Sequence, residues 1–347
     1  MLDWASTFPG YTQLLTTAKK VFGRVIQTGP TPRHVGMIMD GNRRYAKTHK
    51  IELKEGHNLG FESMANILEL LYESGVECAT VYAFSIENFK RLSYEVNWLM
   101  DLAKLKFRQI SQNGELCEQY GIKIKILGST ELLPPDVYAI LKDTEEITKD
   151  NTRAVLNICF PYTSRDEITN TIKNVVNESV QNNDFVVDEN TIDRFLYTSN
   201  SPPLDILLRT SGTFRLSDFL LWQCVSSSCS IVFVDKLWPE FGPWDMCKVL
   251  INWSFNTYWY GNGSGYSTAN KNVRKNSYRL QPNIEKGTLV PITNSKGASG
   301  FERYASEYED DDDDNSDEYQ SDIKNIDFVN ESDTATSESE PDLKKSN

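Results

Sequence analysis

Apolar and polar residues alternate along this chain in blocks that predict an α/β fold. Short apolar runs, four to seven residues long, predict buried strands at 35–39, 78–84, 122–127, 154–160, 204–208 and 231–234. Apolar residues at helical spacing predict helices at 57–73, 94–120, 135–149, 164–180, 189–197 and 243–257. Because strands and helices alternate, we expect one domain with a central, mostly parallel sheet flanked by helices.

The same pattern divides the chain into three segments. We expect an amphipathic helix in segment 1–33, where apolar residues between 11 and 26 recur at helical spacing among basic ones. This helix could lie on a membrane, contact a partner or pack on the protein's own body. Segment 34–260 is long enough to bury one sizeable core and is the predicted catalytic domain. Segment 261–347 is predicted to be a disordered C-terminal region.

The net charge of the chain belongs to its C-terminal tail. Residues 302–347 contain 17 acidic and 4 basic side chains, and this excess equals the formal net charge of −13 of the whole chain. Such a segment has too little apolar content to fold and is typical of a solubilising extension. Because no basic stripe is present, the composition argues against nucleic acid as a partner.

Cysteine and histidine usage argues against a zinc site or a disulfide framework. None of the six cysteines forms a Cys-x-x-Cys pair, and the chain has only three histidines. No apolar run reaches the length of about 18 residues that a membrane span needs. We therefore expect reduced cysteines in the core.

The first cluster of candidate chemistry follows the first predicted strand. It contains a carboxylate, a glycine, an amide and two guanidinium groups: Asp40, Gly41, Asn42, Arg43 and Arg44. Guanidinium groups suit phosphate oxygens, and a carboxylate among them suits Mg²⁺ held between protein and diphosphate. The alternative is a structural turn in which Asp40 caps a helix.

Two more polar clusters follow predicted strands. One contains Ser85, Asn88 and Arg91, and the other contains Arg209, Arg215 and Ser217. Carboxyl ends of parallel strands meet at one edge of a sheet, where ligands bind. Two phosphate-type sites and one metal-binding acid suggest a reaction between two phosphorylated substrates, although each cluster alone could be a solvated loop.

Six motifs of this chain resemble, in their order and spacing, those of the cis-prenyltransferases, most closely the eukaryotic members that make dehydrodolichyl diphosphate. They read DGNRR at 40–44, YAFSIENF at 82–89, FPYTSR at 160–165, RTSG at 209–212, RLSDFLLWQ at 215–223 and LWPEF at 237–241. The resemblance extends over about 34–260. It implies repeated cis addition of isopentenyl diphosphate to farnesyl diphosphate or a similar allylic diphosphate, for dolichol synthesis and protein glycosylation.

The resemblance also implies roles for the clustered residues. Asp40 would hold Mg²⁺ and assist departure of the allylic diphosphate. That diphosphate would be bound by Gly41 through its backbone, Asn42, Arg43, Arg44 and His57. Isopentenyl diphosphate would be bound by Arg209, Arg215 and Ser217. Ser85 and Asn88 would lie beside the reacting carbons and assist proton removal, and Arg91 would complete that side of the site.

One departure from the family pattern predicts a partner. Homodimeric members end their domain with an Arg-x-Gly motif that reaches into the partner's isopentenyl site, and nothing after Trp238 spells it. The resemblance therefore implies a heteromer in which a Nogo-B-receptor-type subunit supplies the motif. The alternative is a homodimer completed by a diverged tail segment.

The hydrophobic product predicts peripheral membrane association. We expect the cytosolic face of the endoplasmic reticulum, and lipid droplets as a second location. Two other functions stay open on sequence alone: a non-catalytic scaffold of a prenyltransferase complex and another phosphate-binding α/β enzyme. The intact DGNRR motif disfavours the scaffold, and the absence of a glycine-rich nucleotide loop disfavours the second function.

Overall fold

The computed structural model of the protein describes residues 11–112, 117, 120–182, 185–225 and 229–260. In these residues the strands are β1 (His34–Ile38), β2 (Cys78–Tyr82), β3 (Ile122–Leu127), β4 (Ala154–Cys159), β5 (Ile206–Arg209) and β6 (Ser230–Phe233). The helices are α1 (Tyr11–Ile26), α2 (Asn42–His49), α3 (Leu53–Glu73), α4 (Ser93–Gln112), α5 (Pro135–Ile147), α6 (Ser164–Gln181), α7 (Glu189–Phe195) and α8 (Pro243–Tyr260).

The predicted α/β fold is confirmed. The six strands form one sheet in the order β3-β4-β2-β1-β5-β6, and every pairing is parallel. Strand β1 is central, with Val35 opposite Ala79 of β2 on one side and Ile206 of β5 on the other. The carboxyl ends of β1, β2 and β5 therefore share one edge, which carries the three polar clusters.

Several element boundaries differ from the prediction. Helix α2 was not predicted because its residues are mostly polar and only Ala46 is buried, so it shows no apolar stripe. Helix α3 begins at Leu53 rather than at 57, and α4 is described over Ser93–Gln112 of the predicted 94–120. Strand β5 is Ile206–Arg209 rather than 204–208, so that Arg209 is its last residue.

The core lies on both faces of the sheet. All five residues of β1 are buried, as a sheet covered by helices on both faces requires. Helix α4 is split between core and surface, since Met100 and Phe107 are buried whereas Leu105 is 52% exposed. A smaller cluster of buried residues includes Tyr162, Phe219 and Leu220, the last two of which closely follow Ser217 of the third polar cluster.

Helix α1 packs on the protein's own body. Lys19 is only 4% exposed; it forms an ion pair with Glu69 of α3 and donates a hydrogen bond to Asn66 Oδ1 at 3.1 Å. Val21 and Val25 lie on the exposed side of α1. Within the described ranges, no helix has the length and apolar character needed to cross a bilayer. The predicted disorder of 261–347 concerns residues outside the described ranges.

Candidate active site

Asp40 directly follows β1, and its backbone is held from two sides. Thr210 Oγ1 donates to the Asp40 carbonyl oxygen at 2.7 Å and accepts from the Asp40 N–H at 3.1 Å. The backbone N–H of Trp238 donates to the same carbonyl oxygen at 3.0 Å. These bonds join the ends of β1 and β5 and fix the direction in which the Asp40 side chain points.

The Asp40 carboxylate lies between two guanidinium groups. Arg209 donates to Oδ2 at 2.7 Å, and Arg44 Nη2 lies 3.3 Å from Oδ1. Burial by itself would raise the pKa of Asp40, but the hydrogen bond and charge of Arg209, with Ser211 and Arg44 contributing, outweigh burial and lower it. Asp40 is therefore ionised at neutral pH. It does not cap helix α2, where no side-chain capping bond forms.

Gly41 and Asn42 begin helix α2 in a tightly packed corner. Gly41 has φ +115°, and a Cβ there would lie 3.0 Å from Leu237 Cα and Trp238 N. The Asn42 Oδ1 atom is buried without a hydrogen-bond partner. A Cβ on Gly60 of α3 would lie 2.3 Å from that oxygen, so glycine at 60 makes room for the Asn42 amide.

Arg44 extends from the first cluster to the third. Its guanidinium donates to the Ser211 carbonyl oxygen at 3.2 Å, to the Ser211 hydroxyl, and to Thr213 Oγ1 at 3.4 Å. Although the resemblance groups Arg44 with Arg43 on the allylic side, the structure places it beside the RTSG segment. The first and third clusters consequently meet at Asp40, whose carboxylate contacts both Arg44 and Arg209.

Arg43, His57 and Arg91 form a second group. Arg91 Nη1 lies 2.9 Å from Glu95 Oε1, and Arg43 Nη1 lies 3.9 Å from the same oxygen. The His57 ring packs against Trp98 with ring centroids 5.2 Å apart. Burial, followed by the charges of Arg91 and Arg43, lowers the pKa of His57 to about 4. In the free protein His57 is therefore neutral and can serve as a hydrogen-bond donor, not as a fixed cation.

Ser85 and Asn88 form a reciprocal cap of the short 3₁₀ helix Ile86–Lys90. Ser85 Oγ accepts from the Glu87 N–H at 3.2 Å, and the Ser85 N–H donates to Asn88 Oδ1 at 2.9 Å. Because Ser85 follows β2, which pairs with β1, this capped turn lies at the same sheet edge as Asp40. The cap holds both polar side chains in fixed orientations.

Arg209 is the most deeply buried of the candidate cations, with 4% of its side chain exposed. Besides Asp40, its guanidinium bonds through Nη1 to Ser217 Oγ at 2.6 Å and to the Arg215 carbonyl oxygen at 2.7 Å. Its Nε is buried without a partner. Burial lowers the pKa of Arg209, although the nearby carboxylate of Asp40 opposes this. The predicted third cluster is thus assembled around one guanidinium, with Arg215 itself exposed.

Sequence reasoning missed three contributors to the site. Glu95 contacts two of the candidate arginines, but Arg91 precedes helix α4 (Ser93–Gln112), so helical spacing did not pair these residues in the sequence. Thr210 and Ser211 belong to the RTSG motif, but no feature of the sequence pairs them with Asp40 and Arg44. Those contacts join residues about 170 positions apart.

The donor set around Asp40 fits a hard metal shared with a substrate rather than a site built from protein alone. Among the described residues, no group of three or more His, Cys, Asp or Glu side chains is placed to hold a metal. The Asp40 side chain is 28% exposed, so its ionised carboxylate is accessible. Mg²⁺ is commonly bound by one or two carboxylates together with substrate phosphates.

Comparison with known proteins gives a consistent assignment. Residues 38–261 match the family model "Prenyltransf: Putative undecaprenyl diphosphate synthase". A dehydrodolichyl diphosphate synthase complex subunit of Schizosaccharomyces pombe is 44% identical over 66% of this chain and 87% of its own. The human subunit of that complex is 42% identical, over 70% of this chain and 73% of its own.

A solved structure supports the same assignment. Lavandulyl diphosphate synthase from Lavandula x intermedia, determined with dimethylallyl diphosphate, aligns with a TM-score of 0.59 and 27% identity. The alignment covers 65% of this chain and 95% of the lavender enzyme. The matched family, the relatives and the fold agree with the motifs read from the sequence. This chain belongs to the cis-prenyltransferase family and is an enzyme of the polyprenyl diphosphate synthase class.

Proposed function

We propose that this chain condenses isopentenyl diphosphate in cis onto farnesyl diphosphate or a similar allylic diphosphate, producing long-chain dehydrodolichyl diphosphate for dolichol synthesis. The observation that carries the proposal is the ionised Asp40 carboxylate between Arg44 and Arg209. An allylic diphosphate leaves readily only when its growing negative charge is neutralised, which fixed guanidinium groups can do without reorganisation.

The allylic diphosphate would bind between the first cluster and the second group, the one formed by Arg43, His57 and Arg91. Arg43 and Arg91 supply charge, while neutral His57 and the Asn42 amide supply hydrogen bonds. An arriving diphosphate places negative charge next to His57 and so favours its protonated form. His57 could then gain a proton on substrate binding and add positive charge to the site.

Isopentenyl diphosphate would bind at Arg209, Arg215 and Ser217. Arg209 lies in a nearly dry environment, where charge-assisted hydrogen bonds are strongest. Ser85 and Asn88 stand at the end of the neighbouring strand and would assist removal of the proton after each addition. Their reciprocal cap supports this role because it holds them in place between turnovers.

Magnesium would be held by Asp40 and the diphosphate oxygens. The chemistry it would supply is neutralisation of charge on the departing diphosphate. Binding of the metal would depend on Asp40, since the described residues contain no group of three or more His, Cys, Asp or Glu side chains placed to hold a metal by themselves.

The active protein would be a complex. The relatives from fission yeast and human carry the words "complex subunit" in their names. Together with the missing Arg-x-Gly motif, this supports a second subunit of the Nogo-B-receptor type that completes the isopentenyl site. We further propose peripheral association with the cytosolic face of the endoplasmic reticulum and with lipid droplets, since the product is a long hydrophobic chain.

Incorporation of labelled isopentenyl diphosphate onto farnesyl diphosphate tests these proposals. The assay is run with Mg²⁺ and with chelator, for the full chain alone and copurified with an Arg-x-Gly subunit. We expect long-chain product only with metal and partner. Full activity of the chain alone would overturn the partner proposal. Substantial activity of Asp40→Ala in the complex would overturn the role of Asp40.

A further inference from the structure

The turn that carries Ser217 has an unusual backbone. Ser217, Asp218 and Leu220 have φ values of +47°, +59° and +47°, in the left-handed region that favours glycine. A bulky residue such as leucine is especially uncommon there. Such backbones persist only where the surroundings hold them firmly. Residues 217–221, which form this turn, must therefore be held in place by neighbouring groups.

Four hydrogen bonds join the start of helix α6 to this turn. The Ser164 N–H donates to the Asp218 carbonyl oxygen at 2.7 Å, and Ser164 Oγ accepts from the Leu221 N–H at 2.9 Å. The Arg165 N–H and Nε donate to the two oxygens of the Asp218 carboxylate at 3.1 Å and 2.7 Å. The first N–H groups of any helix lack partners within the helix. Here two of them bind the turn.

Ser164 and Arg165 contribute unequally to holding the turn. Ser164 is fully buried, and it bonds two residues of the turn, Asp218 through its N–H and Leu221 through its hydroxyl. The Arg165 side chain is 73% exposed, and an exposed ion pair contributes little. The hydroxyl of Ser164 is therefore the contact whose loss should matter most.

The backbone turn 217–221 helps to orient the guanidinium of Arg209. One acceptor for Arg209 Nη1, Ser217 Oγ, belongs to the turn, and the other, the carbonyl oxygen of Arg215, lies two residues before it. If the turn relaxes, Arg209 loses the Ser217 hydroxyl, one of its three bonded acceptors. We propose that Ser164, supported by Arg165, is a positioning residue for the second diphosphate subsite, which it shapes through the turn 217–221. This inference rests on the proposed function, because that function assigns the subsite to isopentenyl diphosphate.

The inference predicts a selective kinetic effect. Ser164→Ala leaves the Leu221 N–H without its acceptor, which removes one of the four hydrogen bonds from α6 that hold the turn in its left-handed backbone. We expect the KM for isopentenyl diphosphate to rise roughly tenfold, the scale expected for one lost buried hydrogen bond. The KM for the allylic diphosphate should not change, since Ser164 forms none of the contacts of Arg43, His57 or Arg91.

Thr163→Ala is the matched control. Thr163 Oγ1 caps helix α6 by accepting from the Asp166 N–H at 3.4 Å and makes no described contact with the turn. Its removal should lower the melting temperature and leave both KM values unchanged. Arg165→Met is a second, surface variant that should fold whatever happens to Ser164→Ala, and it should raise the isopentenyl KM in the same direction by a smaller factor.

A double-mutant cycle with Ser217→Ala shows whether Ser164 acts through the turn. All variants are assayed as the full chain with the subunits that copurify with it. If Ser164 works by placing Ser217, then Ser164→Ala should raise the isopentenyl KM less in the Ser217→Ala background than in the wild type. Additive effects, or equal rises in both KM values, would overturn the inference.

The variants Ser217→Ala and Arg209→Ala distinguish failure of the proposed subsite from failure of the positioning role. If Ser217→Ala and Arg209→Ala leave the isopentenyl KM unchanged, the proposed subsite is wrong and the positioning role is refuted with it. If those two variants raise it while Ser164→Ala and Arg165→Met do not, the subsite stands and only the positioning role is refuted.

Discussion

Replacement of Arg209 by alanine tests the site at its most buried point. The guanidinium is 4% exposed and bonds Asp40, Ser217 and the Arg215 carbonyl oxygen. Breaking a buried ion pair by removing one partner costs about 3–5 kcal/mol. Because Asp40 is 28% exposed and water can solvate it, we expect the lower part of this range. A domain of ordinary stability tolerates this loss and stays folded at a lower melting temperature.

The kinetic effect of Arg209→Ala should be selective. Loss of charge-assisted hydrogen bonding to a diphosphate costs about 1.5–3 kcal/mol, which corresponds to roughly ten- to a hundredfold. This factor should appear in the KM for isopentenyl diphosphate and less in that for farnesyl diphosphate. Initial rates measured with each substrate varied at saturating levels of the other give both constants. A matched control is Glu77→Gln, which breaks the solvent-exposed Arg33–Glu77 pair outside the site.

The same variant should also change the pH dependence. Arg209 holds the pKa of Asp40 below its ordinary value, so its removal lets burial raise that pKa. The proposed function requires the ionised carboxylate, so activity at acidic pH should be lost at a higher pH in the variant than in the wild type. Equal rises in both KM values, or an acid limb that does not move, would refute the assignment of Arg209.

Three further variants test other parts of the molecule. Burial lowers the pKa of His34 to about 4 in the folded protein, against about 6.5 in the unfolded chain, so the unfolded chain binds more protons between these pH values. The free energy of unfolding should therefore fall by about 3 kcal/mol from pH 6.5 to pH 4. Urea midpoints measured over this range should fall less in His34→Gln than in the wild type. Gly41→Ala should cost about 1–3 kcal/mol and lower kcat, because φ is +115° and the new Cβ meets backbone at 3.0 Å, whereas Gly242→Ala, with nothing within 4 Å, should do neither in melting and rate measurements. Lys19→Met should leave Glu69 unpaired and speed limited proteolysis of α1, unlike exposed Lys20→Met; equal cleavage rates would contradict the docking of α1 through this pair.

The sequence predicted those parts of the fold that depend on local pattern. Strands β1 and β2 were evident because nearly every residue in them is apolar and buried, which is the mark of a covered parallel sheet. Helix α2 escaped prediction because it packs against its neighbours through Ala46 and is otherwise polar. The inclusion of Arg209 in β5 was also missed, since a charge normally marks the end of a buried strand.

The composition of the site was predictable, but its pairings were not. Asp40 and the arginines were identified from residue type and from the family resemblance. That Asp40 bonds Arg209, 169 residues away, depends on the order of strands in the sheet. The neutrality of His57 depends on burial beside two arginines, a property of the packed structure and not of the motif.

The position of β1 in the sheet also has a consequence for synthesis of the chain. One edge of β1 pairs with β2 early, whereas the other pairs with β5, where Val35 faces Ile206 about 170 residues later. Until β5 leaves the ribosome, β1 has an open edge, and pairings over such separations form slowly. Since Asp40 and Arg209 meet only when that edge closes, we expect the candidate site to be among the last parts of the domain to assemble during translation.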